Sequence, residues 1–224
     1  MNEKKFFDYY NKRKEVIVHK DLMKKLQDID RKIRTNTAEL PFSNIWIAQQ
    51  ISTKLPHGCV VHFAILNSLR AWNFFDIPND VYAYSNVGGF GIDGDISTLI
   101  GASFSNPDKI YIGIVGDLAF FYDMNSIGNR HIGKNLRILV INNGKGTEFR
   151  NYSHPASVIG DKADEFVAAG GHYGNKSVTL LKHYAEDLGF DYFSANSKSD
   201  FKKYVSNFLN DSIGNKPILF TAKP

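Results

Sequence analysis

Apolar positions along this chain follow two periods, and the changes from one to the other divide it into helices and strands. In MKKLQDIDRKI, Met23, Leu26, Ile29 and Ile33 recur at helical spacing with charged residues between them. Phe6, Phe7, Tyr9 and Tyr10 add apolar surface upstream, so residues 1–35 are expected to form a helical appendage whose stripe covers the main domain or a neighbour. RTNTAELPF reads as a linker with Pro41 at its boundary, and the main domain is expected over 36–224. There, Ser43 is suited to cap a helix that turns Ile47, Ile51 and Leu55 inward until Pro56-His57-Gly58 stops it. CVVHFAIL reads as a buried strand, Asn67-Ser68 as a turn, and VYAY as a further strand. SNVGGFGIDGDISTLIGAS joins a glycine-rich turn to a helix starting near Asp93 to Asp95, with Ile96, Leu99 and Ile100 inward.

The runs Ile110–Val115 and Leu136–Ile141 are apolar without alternation, as strands buried on both faces are. GKGTEFRNYSHPA then reads as a loop over a crevice. ADEFVAA, KSVTLLKHYAEDLG and SDFKKYVSNFLND read as amphipathic helices, and GFDYF and PILFTA as short strands. The alternation predicts an α/β fold of three layers, α/β/α, around a mostly parallel sheet with right-handed crossovers.

Composition narrows the picture only a little. A chain of 224 residues can bury a sizeable core, and 43% hydrophobic with 22% charged residues is ordinary for a globular protein. The net charge of +4 and pI near 9.0 come from basic residues dispersed outside the first 35 positions, which argues against a nucleic-acid partner. The single cysteine, Cys59, cannot form an internal disulfide and sits in an apolar run as a small hydrophobe. The amino terminus lacks the apolar core of a signal peptide, and no apolar run approaches the roughly 20 residues of a membrane span, so a cytoplasmic location is expected.

The candidate chemistry lies at the ends of the two long strands, which close on Gly116-Asp117 and Asn142-Asn143. Ligands collect at the carboxyl ends of parallel strands, and Mg²⁺ takes oxygen ligands from one or two side chains and a phosphate. Asp117 and Asn143 stand 143 − 117 = 26 positions apart, close to the roughly 30 residues of a βαβ unit. Alone, Asp117 reads as a helix cap and Asn142-Asn143 as a turn. The glycine-rich turn before Asp95 suits a phosphate at a helix amino terminus, although a lone turn of this kind is more simply structural. His131, His154 and His172 lie in polar loops near the presumed crevice, where surface roles outweigh proton transfer. His62, inside an apolar strand, reads as a packed core residue, and Phe120, Phe121 and Tyr122 as helix packing and interface.

GD followed some 25 positions later by NN resembles the motif of thiamine diphosphate enzymes such as pyruvate decarboxylase and acetolactate synthase. GIDGDIST (91–98), GDLAFFYDMN (116–125) and VINNGKG (140–146) more specifically resemble the cofactor domain of 2-succinyl-5-enolpyruvyl-6-hydroxy-3-cyclohexene-1-carboxylate synthase of the menaquinone pathway, from about Phe42 onward. The resemblance implies thiamine diphosphate and Mg²⁺ as cofactors. It implies metal ligation by the Asp117 carboxylate, the Asn143 side-chain oxygen and the Lys145 backbone carbonyl. It gives Gly116, Leu118 and Ala119 backbone contacts to the diphosphate, and Ile92, beside Gly91, the place of the wedge that bends the cofactor. Asn67-Ser68 matches a pair at the cofactor edge, and Asp123 and Asn125 match motif positions whose role is to hold helix and loop.

The same resemblance implies a 2-oxo acid substrate, with decarboxylation followed by protonation or carboligation. The activating glutamate would come from a separate pyrimidine-binding domain, in a missing segment or a partner subunit of a homo- or hetero-oligomer, so the chain alone is expected to be inactive. Two departures bear on substrate. Val87 stands where the synthase has an arginine before GIDG, and the arginine after the Asn-Ser pair is offset, with Arg70 nearby and Trp72 in its place. Arginine captures carboxylates, so a different donor or acceptor is as well supported. A split subunit like acetolactate synthase or like sulfopyruvate or phosphonopyruvate decarboxylase, and a non-catalytic degenerate domain, are the alternatives.

Overall fold

The computed structural model describes residues 3–12, 20–36, 38–89, 91–151, 153–167 and 177–224. They fall into two units, Met1–Leu40 and Pro41–Pro224. The first holds helices α1 (Glu3–Asn11) and α2 (Lys20–Thr35). On α2 the charges pair along the helix, Arg31 with Asp28 at 3.3 Å and Arg34 with Asp30 at 2.8 Å.

The second unit is built on a six-stranded sheet in which every pairing is parallel. Its strands are β1 (Val60–Phe63), β2 (Tyr82–Ser85), β3 (Tyr111–Gly116), β4 (Leu136–Ile141), β5 (Asp191–Ala195) and β6 (Ile218–Ala222), in the order β2-β1-β3-β4-β6-β5. The helices are α3 (Asn44–Ile51), α4 (Asn67–Trp72), α5 (Asp95–Ser103), α6 (Asp117–Tyr122), α7 (Asp164–Val167), α8 (Leu180–Asp187) and α9 (Lys198–Phe208). The α/β architecture expected from the alternation is present, and among the described strands the sheet is wholly parallel. The almost wholly apolar runs of β3 and β4 are explained by cover on both faces.

Register assigns each face. Phe63, Ile114, Leu139 and Phe220 share one side. There Trp72 of α4 meets Phe63, Phe201 of α9 stacks on Phe220 at 5.1 Å, and Trp46 of α3 meets Phe201. The other side carries Tyr111, Val115, Ile138, Val140 and Leu219, clustered with Ile96, Leu99 and Ile100 of α5, Phe120 of α6, and Leu181 and Ala185 of α8. Gly113 belongs to this side because α5 lies so close: a Cβ there would meet Leu99 at 2.5 Å.

Several elements are shorter than the sequence suggests. The run CVVHFAIL is a strand only over Val60–Phe63, since Ala64 already turns toward α4, and Asn67-Ser68 opens that helix instead of forming a separate turn. VYAY becomes an exposed edge strand shifted by one residue. Ser43 caps α3, accepting from the Trp46 N–H at 3.2 Å. Cys59 is buried and unbridged, and burial pushes its thiol up to about 12, which makes it inert. No helix among the described residues is long and apolar enough to cross a membrane.

Candidate functional site

The chain leaves β1 for β2 on one side and returns to lay β3 on the other, so the sheet reverses direction between β1 and β3. The helices that follow these strands pack on opposite faces, α4 against Phe63 and α6 within the cluster on the far side, and a crevice opens between their starts. It holds a cavity of about 720 Å³. All ten residues expected at a cofactor site line it. Asn67 and Ser68 come from the start of α4, and Gly91 and Ile92 from the loop before α5. Gly116, Asp117, Leu118 and Ala119 come from the β3–α6 junction, and Asn143 and Lys145 from the loop after β4.

Asp117 is the most tightly held of these. It is 1% exposed, and one carboxylate oxygen accepts from the Leu118 N–H at 2.9 Å while the other accepts from the Gly144 N–H at 2.6 Å. Gly144 reaches it in a left-handed conformation, φ +72°, which a residue with a side chain adopts at a cost. Asn143 is exposed and forms an Asx turn, its side-chain oxygen accepting from the Lys145 N–H at 3.1 Å. Two adjacent strands thus place a buried carboxylate, an amide oxygen and the Lys145 backbone on one wall. Among the described residues no cluster of three His, Cys, Asp or Glu side chains could hold a metal, so a cation here would need ligands beyond carboxylates.

Apolar side chains of Ile45, Ile65, Leu66, Ala71, Phe74 and Phe149 also line the cavity. Leu66 is the one non-glycine at positive φ among the described residues (φ 65°, ψ −121°), an outlier for a bulky side chain. Its carbonyl accepts from the Arg70 N–H at 2.9 Å, so the strained residue starts α4 and aims Asn67 and Ser68 at the crevice. Asn67 donates to the Thr147 hydroxyl, and Arg70 pairs with Glu148. These contacts tie α4 to the loop after β4 across the mouth of the cavity. Arg70 lines the cavity, whereas Trp72 does not: it is buried against Phe63, with ring centroids 5.2 Å apart.

On the GIDG side, the helix amino terminus is not left open as the glycine-rich turn suggested. The Ser97 N–H donates to Asp123 at 2.6 Å, which is the structural duty expected of that motif residue. Asn125 is exposed. Asn86 donates to the Gly94 carbonyl at 2.9 Å and braces the loop. Below it lies a feature the motifs did not disclose. Asp95, 1% exposed, has neither carboxylate oxygen hydrogen-bonded, and His62 Nε2 stands 4.0 Å from Oδ1, also without a hydrogen-bond partner. Burial raises the Asp95 carboxyl to about 6, against the nearby Ile65 N–H and with help from Asp123 and Asp93, and burial lowers His62 against a contact from Asn86. His62 is thus a core residue, as expected, but one facing a buried acid. A histidine inside an apolar strand was the only signal of it.

Of the loop histidines, neither described one lines the cavity. His131 is exposed and in contact with Arg130, and His154 caps a 3₁₀ turn by accepting from the Ala156 N–H. His172 lies outside the described residues. Phe120 is fully buried in helix packing, and Tyr122 is exposed.

No protein-family model matches the chain. It is 33% identical over 175 residues, 78% of its length, to 29% of the 2-succinyl-5-enolpyruvyl-6-hydroxy-3-cyclohexene-1-carboxylate synthase of Christiangramia forsetii. It is 32% identical over 181 residues to 31% of the synthase of the same name from Bacteroides fragilis. In three dimensions it is similar to the thiamine diphosphate-dependent 4-hydroxybenzoylformate decarboxylase of Rhodococcus jostii RHA1, with a TM-score of 0.63 and 17% identity over 84% of this chain and 33% of that one. The chain therefore spans about three tenths of the length of the curated relatives it matches.

Proposed function

We propose that this chain, a homologue of one segment of the 2-succinyl-5-enolpyruvyl-6-hydroxy-3-cyclohexene-1-carboxylate synthases, binds thiamine diphosphate with Mg²⁺ and forms one half of the active site of a thiamine diphosphate-dependent 2-oxo acid decarboxylase or carboligase. The observation that carries this reading is the convergence of Asp117, Asn143 and Lys145 with Gly116 and Ile92 on one crevice at the reversal point of the sheet.

The donor set fits the group. The Asp117 carboxylate stands on the crevice, and the Asn143 oxygen and the Lys145 carbonyl add two neutral ligands. One carboxylate and two neutral oxygens suit a cation whose remaining positions are filled by diphosphate and water. Backbone of Gly116, Leu118 and Ala119 borders the place of the diphosphate. Ile92, half-buried against the core, is held from behind and can act as a steric wedge on the cofactor rings. When bound, the cofactor supplies the nucleophilic carbon and the electron sink for loss of carbon dioxide from a 2-oxo acid. The chain's own part is to hold the cation, bend and orient the cofactor, and keep water from one side with its apolar side chains. The activating glutamate belongs to a pyrimidine-binding domain outside this stretch, so the chain alone binds without turning over.

A donor or acceptor different from the synthase's is favoured by Arg70, whose guanidinium is engaged by Glu148 at the cavity mouth, and by Val87 in place of an arginine. Calorimetric titration tests the cofactor reading. Thiamine diphosphate should bind only with Mg²⁺ present, and Asp117→Ala should abolish that binding; absence of binding by correctly folded wild type overturns the proposal.

A further inference from the structure

Helix α2 carries its apolar residues at Leu22, Leu26, Ile29 and Ile33, with spacings of four, three and four. This is a period of 3.5, the a/d seam of a coiled coil, with Leu22 and Ile29 at d and Leu26 and Ile33 at a. A helix made to lie on a globular surface has a wider stripe that extends over the flanking positions. Here the flanks are Lys25 and Lys32 on one side and Asp30 on the other, with Met23 the only apolar exception. Leu22, Leu26 and Ile29 are each more than half exposed, so the described residues of the Met1–Leu40 unit do not cover the seam. A 16-residue helix is marginal without packing on its apolar face, so α2 needs an occupant for the seam.

The flanking charges identify that occupant. When two copies of α2 run parallel and in register, Lys25 at g faces Asp30 at e′ of the partner copy, which Arg34 of its own helix also holds at 2.8 Å, and the same pair recurs on the other side of the two-fold axis. In the antiparallel arrangement, Lys25 instead faces Lys32 of the other copy, and like charges repel. We infer that α2 pairs with α2 of a second copy of this chain as a short parallel coiled coil. The arrangement does not depend on the cofactor reading. Because two heptads are short, the dimer is concentration-dependent.

Sedimentation equilibrium of the full chain tests this, with circular dichroism to confirm folding. Wild type should dimerise reversibly. Leu26→Asp with Ile29→Asp should weaken the dimer by about 100-fold or more, since it puts charges into the seam. Lys25→Glu should weaken it by about two- to fivefold, the scale of an exposed ion pair, and adding Asp30→Lys should restore it. A wild type that stays monomeric at the highest concentration overturns the inference, with α2 then docked on its own chain or awaiting another protein. So does a dimer indifferent to the seam substitutions, or a charge-reversed pair without recovery.

Discussion

Asp95 and Asp117 occupy the same local position in two parts of the molecule. Each is the first residue of a helix entered through a glycine, and each is 1% exposed. At the β3–β4 end, the loop after the neighbouring strand curls over and gives Asp117 the Gly144 N–H, so its carboxylate is held from two sides. After β1 the nearest equivalent, the Ile65 N–H, lies close enough to lower the Asp95 carboxyl but does not reach hydrogen-bond geometry. Asp95 faces His62 at 4.0 Å with both oxygens lacking hydrogen bonds, and burial pushes each group toward its neutral form. A buried carboxylate is thus a fixed, charged ligand in one place and a titrating burden in the other, and one donated N–H makes much of the difference.

The largest expected effect comes from removing the satisfied member. Asp117→Ala should lower Mg²⁺-dependent affinity for thiamine diphosphate by at least about 100-fold in calorimetry. It should also cost about 1–3 kcal/mol of stability, because the buried Gly144 N–H loses its acceptor. Asp117→Asn keeps one acceptor for the Gly144 N–H but turns its NH2 toward the Leu118 N–H, so it should lose the metal-dependent affinity as alanine does while recovering part of the stability, which separates the two duties.

The unsatisfied member should respond in the opposite direction. In the unfolded chain the Asp95 carboxyl ionises near 3.8, and in the folded chain near 6. Between these values the folded state holds the extra proton, so its contribution to stability falls as pH rises through that window and stays low above it. His62, lowered from 6.5, acts in the opposite sense: in the upper part of the window the unfolded chain binds the extra proton, so its contribution rises with pH. Asp95→Asn should therefore be more stable than wild type at pH 8, by up to about 3 kcal/mol, and nearly equal to it below pH 4. Urea midpoints at the two pH values read this directly, and an equal gap at both would contradict the buried, unpaired carboxylate.

Smaller effects sharpen the contrast at the crevice. At Leu66, glycine should be more stable than alanine by about 1 kcal/mol, because only glycine adopts that backbone without strain; at an ordinary helix start the gap would be smaller or reversed. Thermal denaturation of the two variants measures it. Arg70→Ala should change stability by less than about 1 kcal/mol, since its pairing with Glu148 is half-exposed.

Much of this was legible in the chain itself. The runs at 110–115 and 136–141 correspond to β3 and β4 within a residue, because a strand covered on both faces is almost wholly apolar; the exception, Arg137, is buried with its guanidinium donating to the Phe208 and Ser212 carbonyls. Asp117 and Asn143 could be paired by their spacing, because a crossover of that length returns the chain to the adjacent strand. Other features left no comparable trace. The positive φ of Leu66 has no signature in its side chain. Arg70 rather than Trp72 reaches the cavity because of the direction in which α4 leaves β1. The Asp95–His62 pair joins residues 33 positions apart (95 − 62) whose neighbours in sequence say nothing about each other.

The sequence by itself determined the order of helices and strands, the α/β class and the polar residues that end the long strands, because hydrophobic period and chain length record which faces are buried and how far a crossover can reach. Only the tertiary structure decided which of those ends meet across the reversal between β1 and β3, and which of two buried aspartates is satisfied. A backbone N–H delivered by a loop from another strand depends on the path of the whole sheet, and no local pattern encodes it.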